Sequence, residues 1–361
     1  MPAQQKDKVA IWVITPNGVA IAQHIKKVLT QADIYTSAKI KPASNLPLTF
    51  HKLSDAMTKN FYQYSAHIFI MATGIVVRVI APYIQSKIKD PAVVVVDDQG
   101  RHVISLLAGH LGGANDLTRK VAGIIKADPV ITTATDVNAK PAIEVLAKEK
   151  KLVIDNPQTI KAVNMALLTD QQIGIHDPLA ILQDDIPNTV PLTPDDLKKK
   201  DIATSIRPFK DSGTAIYVDD TQINLPAHVL VLRPSTLVAG IGCNRNTPME
   251  EIKALLSETL KKYQLAGTSL NRIATIDLKA DEPGLVDLAR SLNVPIDFFS
   301  REELSQVEDI QTPSAMVEKH VGVRSVCEAA AILASQMGTL IVPKQTNPNV
   351  TVAIARKAFT L

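Results

Sequence analysis

Two α/β domains at the ends of the chain, joined by a smaller β-rich middle region, are the architecture this sequence predicts. Three observations carry the prediction. Short apolar runs rich in β-branched residues alternate with segments of helical spacing near both ends. Both ends share a plan in which a strand runs into a glycine-bearing turn and then a helix. Between them, from about Leu152 to Pro234, eight prolines interrupt the pattern and helical periodicity fades after Leu168. A length of 361 residues is long for one compact core and fits several domains, with predicted boundaries at 1–150, 151–234 and 235–361.

Taken in order, "KVAIWVIT" reads as a strand, and after the turn "PNG" the segment Val19 to Leu29 has helical spacing. "HIFIM" is a buried-type strand, followed in "ATGIVVRVIAPYI" by a turn at Thr73-Gly74 and a short helix. "AVVVVDDQGRHVISLLAG" reads as two strands joined through Asp98-Gln99-Gly100, a hairpin turn. "GHLGGAN" then opens an amphipathic helix through Leu117 and Val121, and "DPVITTATD" is a strand with a threonine-rich end. In the middle region "TAIYVDD" and "HVLVLRP" still read as strands. The last third begins with "TLVAGIGCN", a strand and tight turn. "TPMEEIKALLSETLKKY" is a helix, with Thr247 as N-cap, Pro248 at the first helical position and Glu250 completing a capping box. "RIATIDLKADEPG" and "VPIDFFS" are further strand-to-loop joins, and Ser300 with Glu303 forms a second capping box. "RSVCEAAAILASQ" is a helix, and "GTLIVPKQTNPNVTVAIARK" is a terminal hairpin.

Composition removes several function classes. A net charge of +3, evenly spread, and an aromatic content of only 4% give no support to a nucleic-acid partner. No apolar run approaches the roughly 20 residues needed to span a bilayer, so no membrane association is expected. The polar opening "MPAQQKDK" and the short apolar segment ending at Pro16 do not read as a secretory leader. The two cysteines, Cys243 and Cys327, form no CxxC or Cys/His cluster. Neither a disulfide framework nor a structural zinc or other metal site is expected, and a reducing cytoplasm is the expected compartment.

The residues with chemical potential gather at turns. Gly109, Gly112 and Gly113 free the backbone for close approach, and Asn115 with the preceding amides would stand at a helix start suited to an anion. The same spacing fits a tight turn that binds nothing. "GHLGGAN" is neither GxGxxG nor a lysine-bearing P-loop, so neither a dinucleotide nor a nucleoside triphosphate is supported. His110, inside this turn, is the best general acid or base, its alternative being a turn histidine bonded to a backbone carbonyl. Gly74 and Arg78 repeat the theme: an arginine one turn into a helix can hold a carboxylate, or simply face solvent. Thr132, Thr133, Thr135 and Asp136 lie at a strand's end. Open α/β sheets place ligands at such ends, so three of them are expected to converge on one crevice. Lys279, Glu282 and Lys344 lie just beyond strands near the C-terminus, where lysines suit polycarboxylates but are as often only solvated. Cys243 and Cys327 read as packing residues.

Taken together, "MATGIVVRVIAP", "DPAVVVVDDQG", "LLAGHLGGAN" and "VITTATDVN", followed by "GIGCN", "DLKADEPGL", "VGVRSVCEAAA", "VPK" and "TVAIAR", resemble the cobalt-precorrin-5A hydrolase family of the anaerobic route to cobalamin. The resemblance spans nearly the whole chain, the middle region matching by length and position. Ser105 stands where the family suggests proline, and Ala108 where it suggests serine. The resemblance implies a hydrolase that opens the δ-lactone of a ring-contracted cobalt corrinoid and expels acetaldehyde, giving cobalt-precorrin-5B. It implies no cofactor of the protein's own, cobalt arriving inside the substrate. Matched to this chemistry, His110 would be the base, the amides of Gly112 and Gly113 the oxyanion donors, and Asp136 an orienting group or itself the base. Arg78, Lys279 and Lys344 would meet the substrate's acetates and propionates. Neighbouring pathway enzymes and a second copy of the chain are the protein partners left open. A corrinoid carrier without catalysis and a phosphate-binding regulator are the rival readings.

Overall fold

The computed structural model describes residues 8–40, 48–86, 89–198, 213–313 and 323–359, which fall into a unit ending at Val145 and a unit beginning at Leu146. The first unit is built on seven strands: β1 (Val9–Val13), β2 (Asp33–Ser37), β3 (Leu48–Phe50), β4 (Ala66–Ile70), β5 (Ala92–Val96), β6 (His102–Leu107) and β7 (Asp128–Val130), in the order β3-β2-β1-β4-β5-β6-β7. Strands β4 and β5 are buried along their whole length, which is why they read as unbroken apolar runs rather than alternating ones. Helices Pro16–Val28 and Ala114–Ile125 cover one face, over Ile11, Ile68 and Val94. Helices Leu53–Asn60 and Thr73–Ile80 cover the other, over Trp12, Phe69 and Val95. On that second face the histidine of "HIFIM" is a core residue. His67 Nδ1 accepts from Trp12 Nε1 at 3.0 Å and Nε2 donates to the Phe61 carbonyl at 2.9 Å, while burial pushes its pKa down to about 4.

The hairpin turn at Asp98-Gln99-Gly100 decides where the site lies. Gly100 adopts φ +65° and its amide closes the turn on the Asp97 carbonyl at 2.9 Å. β5 and β6 therefore pair antiparallel, whereas every other neighbouring pair in this sheet is parallel. β6 and β7 consequently end at the opposite edge of the sheet from β4. The expected convergence of three strand ends fails. Gly74 lies in the first turn of a helix that starts beyond β4, and Arg78 is exposed on that helix, on the sheet face away from helix Ala114–Ile125. The turn expected at Thr73-Gly74 is already helical.

The second unit holds two five-stranded sheets. One contains β8 (Leu152–Ile154), β9 (Ile173–His176), β10 (Thr189–Pro191), β11 (Ala215–Val218) and β12 (Val229–Pro234), ordered β10-β9-β11-β12-β8. The other contains β13 (Leu237–Cys243), β14 (Leu270–Ile276), β15 (Ile296–Phe299), β16 (Thr339–Thr346) and β17 (Val350–Arg356), ordered β15-β14-β13-β17-β16. The buried Asp220 ties them together. Asp220 accepts from Arg356 Nε and Nη2 at 2.8 and 2.6 Å and from Thr236 Oγ1 at 2.6 Å. Within the first of these sheets Arg233, 2% exposed, donates to Asp155 at 2.8 Å and to the carbonyls of Asp219 and Thr221.

Of the two capping boxes expected here, Ser300 and Glu303 form one, but Thr247 does not. Pro248 is the N-cap of helix Met249–Lys262, and the Thr247 hydroxyl donates instead to the Asn244 carbonyl at 2.9 Å. Closest packing falls at Gly240, where a Cβ would lie 1.8 Å from the Cys327 carbonyl oxygen on helix Val326–Ala334. Gly240→Ala must push that helix off β13, with an expected loss of stability near the upper end of about 1–3 kcal/mol. The urea denaturation midpoint reads this directly, and an unchanged midpoint would contradict it.

Candidate active site

The "GHLGGAN" loop leaves β6 and enters helix Ala114–Ile125. Three of its amides are spent on the loop itself: Gly113 N donates to the His110 carbonyl at 2.9 Å, Ala114 N to Ala108 at 3.1 Å and Asn115 N to Gly109 at 3.0 Å. The glycines serve this closure. A Cβ on Gly112 would sit 2.4 Å from the Ala108 Cβ, and one on Gly109 would sit 2.9 Å from Asn115 Oδ1. Gly113 takes φ +84°, the left-handed region where glycine is strain-free, and Ala108 enters the loop at φ +57°. The backbone approached so closely is therefore the loop's own. The oxyanion-donor role expected of Gly113 is not available to its amide.

What the loop presents is His110. Its Nδ1 lies 2.9 Å from Glu144 Oε1 and its Nε2 lies 2.9 Å from Asp136 Oδ2, with Thr135 Oγ1 at 3.0 Å from the same nitrogen. Carboxylates only accept, so both ring nitrogens must carry protons: the geometry fits an imidazolium. The Glu144 hydrogen bond, helped by Asp136, raises the His110 pKa against the opposing effect of burial. A ring protonated at rest is placed to give a proton rather than to take one.

Asp136 begins its own network. Burial disfavours its charge, but hydrogen bonds from Thr133, His110 and Arg119 outweigh that and hold its carboxyl below the usual range. Oδ2 accepts from His110, from Asn115 Nδ2 at 2.9 Å and from Thr133 Oγ1 at 2.8 Å, while Oδ1 accepts from Arg119. Asn115 is 3% exposed and its Oδ1 accepts from Ser105 Oγ at 2.7 Å, so it positions Asp136 rather than meeting a ligand. His110 and Asp136 keep 16% and 17% of their side-chain surface exposed, enough for a substrate edge to reach them. Thr132 is exposed beside them, and Thr135 is buried.

Three partners were not visible in the sequence motifs. Glu144 lies in the first turn of helix Ile143–Glu149 and looks like an ordinary charged helix start. Arg119 follows Asn115 by four positions on one helix, a spacing that puts both on the same face and could have flagged it. Ser105, noted only as a departure from the family, is the third.

In the second unit the structure brings Lys279 and Lys344 to one cleft of about 290 Å³ at the carboxyl ends of β13 and β14. Glu282 does not join them as a binding group. It is 1% exposed, accepts from Asn246 N at 2.7 Å and stands 3.5 Å from Lys279 Nζ, a buried anchor for the loop. Among the described residues no group of three or more His, Cys, Asp or Glu side chains is arranged to hold a metal ion. Nor, among those residues, is any helix long and apolar enough to cross a membrane.

Comparison with known proteins finds three family matches along the chain. Residues 55–136 match the family described as Cobalamin synthesis G N-terminal, residues 141–234 the Cobalamin biosynthesis central region, and residues 237–355 the Cobalamin synthesis G C-terminus. The chain is 38% identical over 341 residues to a cobalt-precorrin-5A hydrolase of Salmonella typhimurium (strain LT2), covering 93% of this chain and 94% of that one. A cobalt-precorrin-5A hydrolase of Priestia megaterium is 32% identical over 366 residues, covering 98% and 96%. Protein CobE of a Sinorhizobium species is 34% identical over 124 residues, which are 34% of this chain and 80% of that protein.

Proposed function

Because the chain belongs to the cobalt-precorrin-5A hydrolase family, we propose that it opens the δ-lactone of a cobalt corrinoid intermediate and releases acetaldehyde, in the cytoplasm. The observation that carries this reading is the histidine held at both ring nitrogens by carboxylates, His110 between Glu144 and Asp136. Lactone opening needs a proton acceptor for water and a proton donor for the departing alkoxide. Asp136 takes the water proton as the oxygen adds to the lactone carbonyl. His110 gives its Nε2 proton to the ring oxygen as the acyl–oxygen bond breaks, leaving a free acid and an alcohol. The proton on Asp136 then returns to His110 across their 2.9 Å contact. Acetaldehyde leaves when the alcohol O–H is deprotonated and the carbon–carbon bond to the macrocycle breaks. Its electron pair goes to the macrocycle carbon, which takes up the proton. Arg119, half-exposed and bound to Asp136, is a cation beside this chemistry, where Arg78 is not. Cobalt enters as part of the substrate.

Anaerobic incubation with cobalt-precorrin-5A and assay of acetaldehyde tests the proposal. Wild type is expected to release it, and His110→Ala to release it about 10²–10⁴-fold more slowly with binding retained. Binding without release by the wild type would make the chain a carrier.

A further inference from the structure

We propose that the cleft between the ends of β13 and β14 and the β16–β17 turn is a carboxylate site. Resting on the reading above, its occupant is an acetate or propionate arm of the macrocycle. At about 290 Å³ it has room for a side-chain acid and not for a whole macrocycle. Among the described residues its lining contributes two charged side chains, Lys279 and Lys344, and no aspartate or glutamate.

The acids nearby are turned to other work. Glu282 lies beneath Lys279 and holds the Asn246 amide. Glu328 is fully buried and accepts from the amides of Gln311, Thr312 and Lys344 at 2.8, 3.0 and 2.9 Å. Lys344 Nζ gives one proton to the Thr312 carbonyl at 3.0 Å, which leaves an ammonium with further donors to offer. The helix Val326–Ala334 opens on the same cleft. Its N-cap Ser325, 2% exposed and part of the lining, makes no side-chain capping bond; among the described residues its hydroxyl meets the Cys327 sulfur, at 3.7 Å. A buried hydroxyl, a helix start and two ammonium groups thus face one small space, each suited to an oxyanion.

The chain carries its own reporter. Cys243 lines the cleft and is partly exposed, whereas Cys327 is 1% exposed. The full chain is alkylated with iodoacetamide at alkaline pH, since burial raises the Cys243 pKa, and Cys243 labelling is followed by peptide mass. Cobyrinic acid is expected to slow labelling, while its methyl ester and inorganic phosphate at equal concentration leave it unchanged. Lys279→Ala takes one of two cations from the buried Glu282 and risks the fold, so Thr346→Asp decides. It adds a negative charge on the exposed rim and keeps both lysine pairings, and should weaken protection about tenfold. His110→Ala should keep protection while losing acetaldehyde release, which separates this site from the chemistry. No protection by cobyrinic acid, equal protection by the ester, or a Thr346→Asp variant as well protected as wild type would overturn the site. Equal protection by phosphate would overturn the macrocycle arm as its occupant. Protection without acetaldehyde release by the wild type would leave the site standing and remove the hydrolase reading.

Discussion

Asp136→Asn is expected to slow acetaldehyde release about 10²–10⁴-fold while leaving substrate binding close to wild type. The substitution keeps the shape and removes the acceptor. Four donors converge on this carboxylate, from His110, Asn115, Thr133 and Arg119. An amide offers one oxygen to them and turns an NH₂ group toward the rest. His110 loses one of the two charges that hold its proton, and the water loses its acceptor. The variant should also respond differently to acid. Asp136 has a folded pKa below its ordinary 3.8, so its stabilising contribution is present above that value and is lost as pH falls through the folded pKa. Asparagine has no such limb. Turnover within a few-fold of wild type would move the water's acceptor elsewhere and remove Asp136 from the mechanism.

The placement of Asp136 also marks where the sequence was legible. The strands and helices around it follow from hydrophobic period and turn residues, and the hairpin through Asp98-Gln99-Gly100 was readable from three residues. Its consequence was not. Reversing β6 carries "GHLGGAN" and "TTATD" away from "ATGIVVR", and strand direction depends on pairings between segments far apart in the chain. The loop glycines were legible as close-approach residues but not as approaching their own backbone, because periodicity says nothing about which surface arrives. Glu144 was invisible for a similar reason. A glutamate in a helix's first turn is common on dipole grounds alone, so its residue type carried no signal that it reaches His110. The Thr247 misreading has a local cause: Pro248 itself becomes the cap, and the threonine hydroxyl finds the Asn244 carbonyl first.

Glu144 therefore bears the second large effect, and its signature is a pH profile. The Glu144 hydrogen bond is the main cause of the raised His110 pKa. A raised histidine pKa adds stability that is complete below the ordinary value of 6.5 and is lost as pH climbs through the folded value. The same window governs an acid that must be protonated when substrate arrives: the rate should hold below 6.5 and fall on the alkaline side of the folded pKa. Glu144→Gln keeps an acceptor for Nδ1 but removes the charge, so the alkaline limb should move to lower pH. Above both limbs the rate should drop about tenfold for each unit of displacement. Well below both limbs, where the ring is protonated in either protein, the two rates should converge. A glutamate that only braced the loop would lower the rate equally at every pH, and a parallel pair of profiles would assign it that role. Displacement of the limb alone would instead identify His110 as the titrating acid, because Glu144 is bound to the imidazole itself.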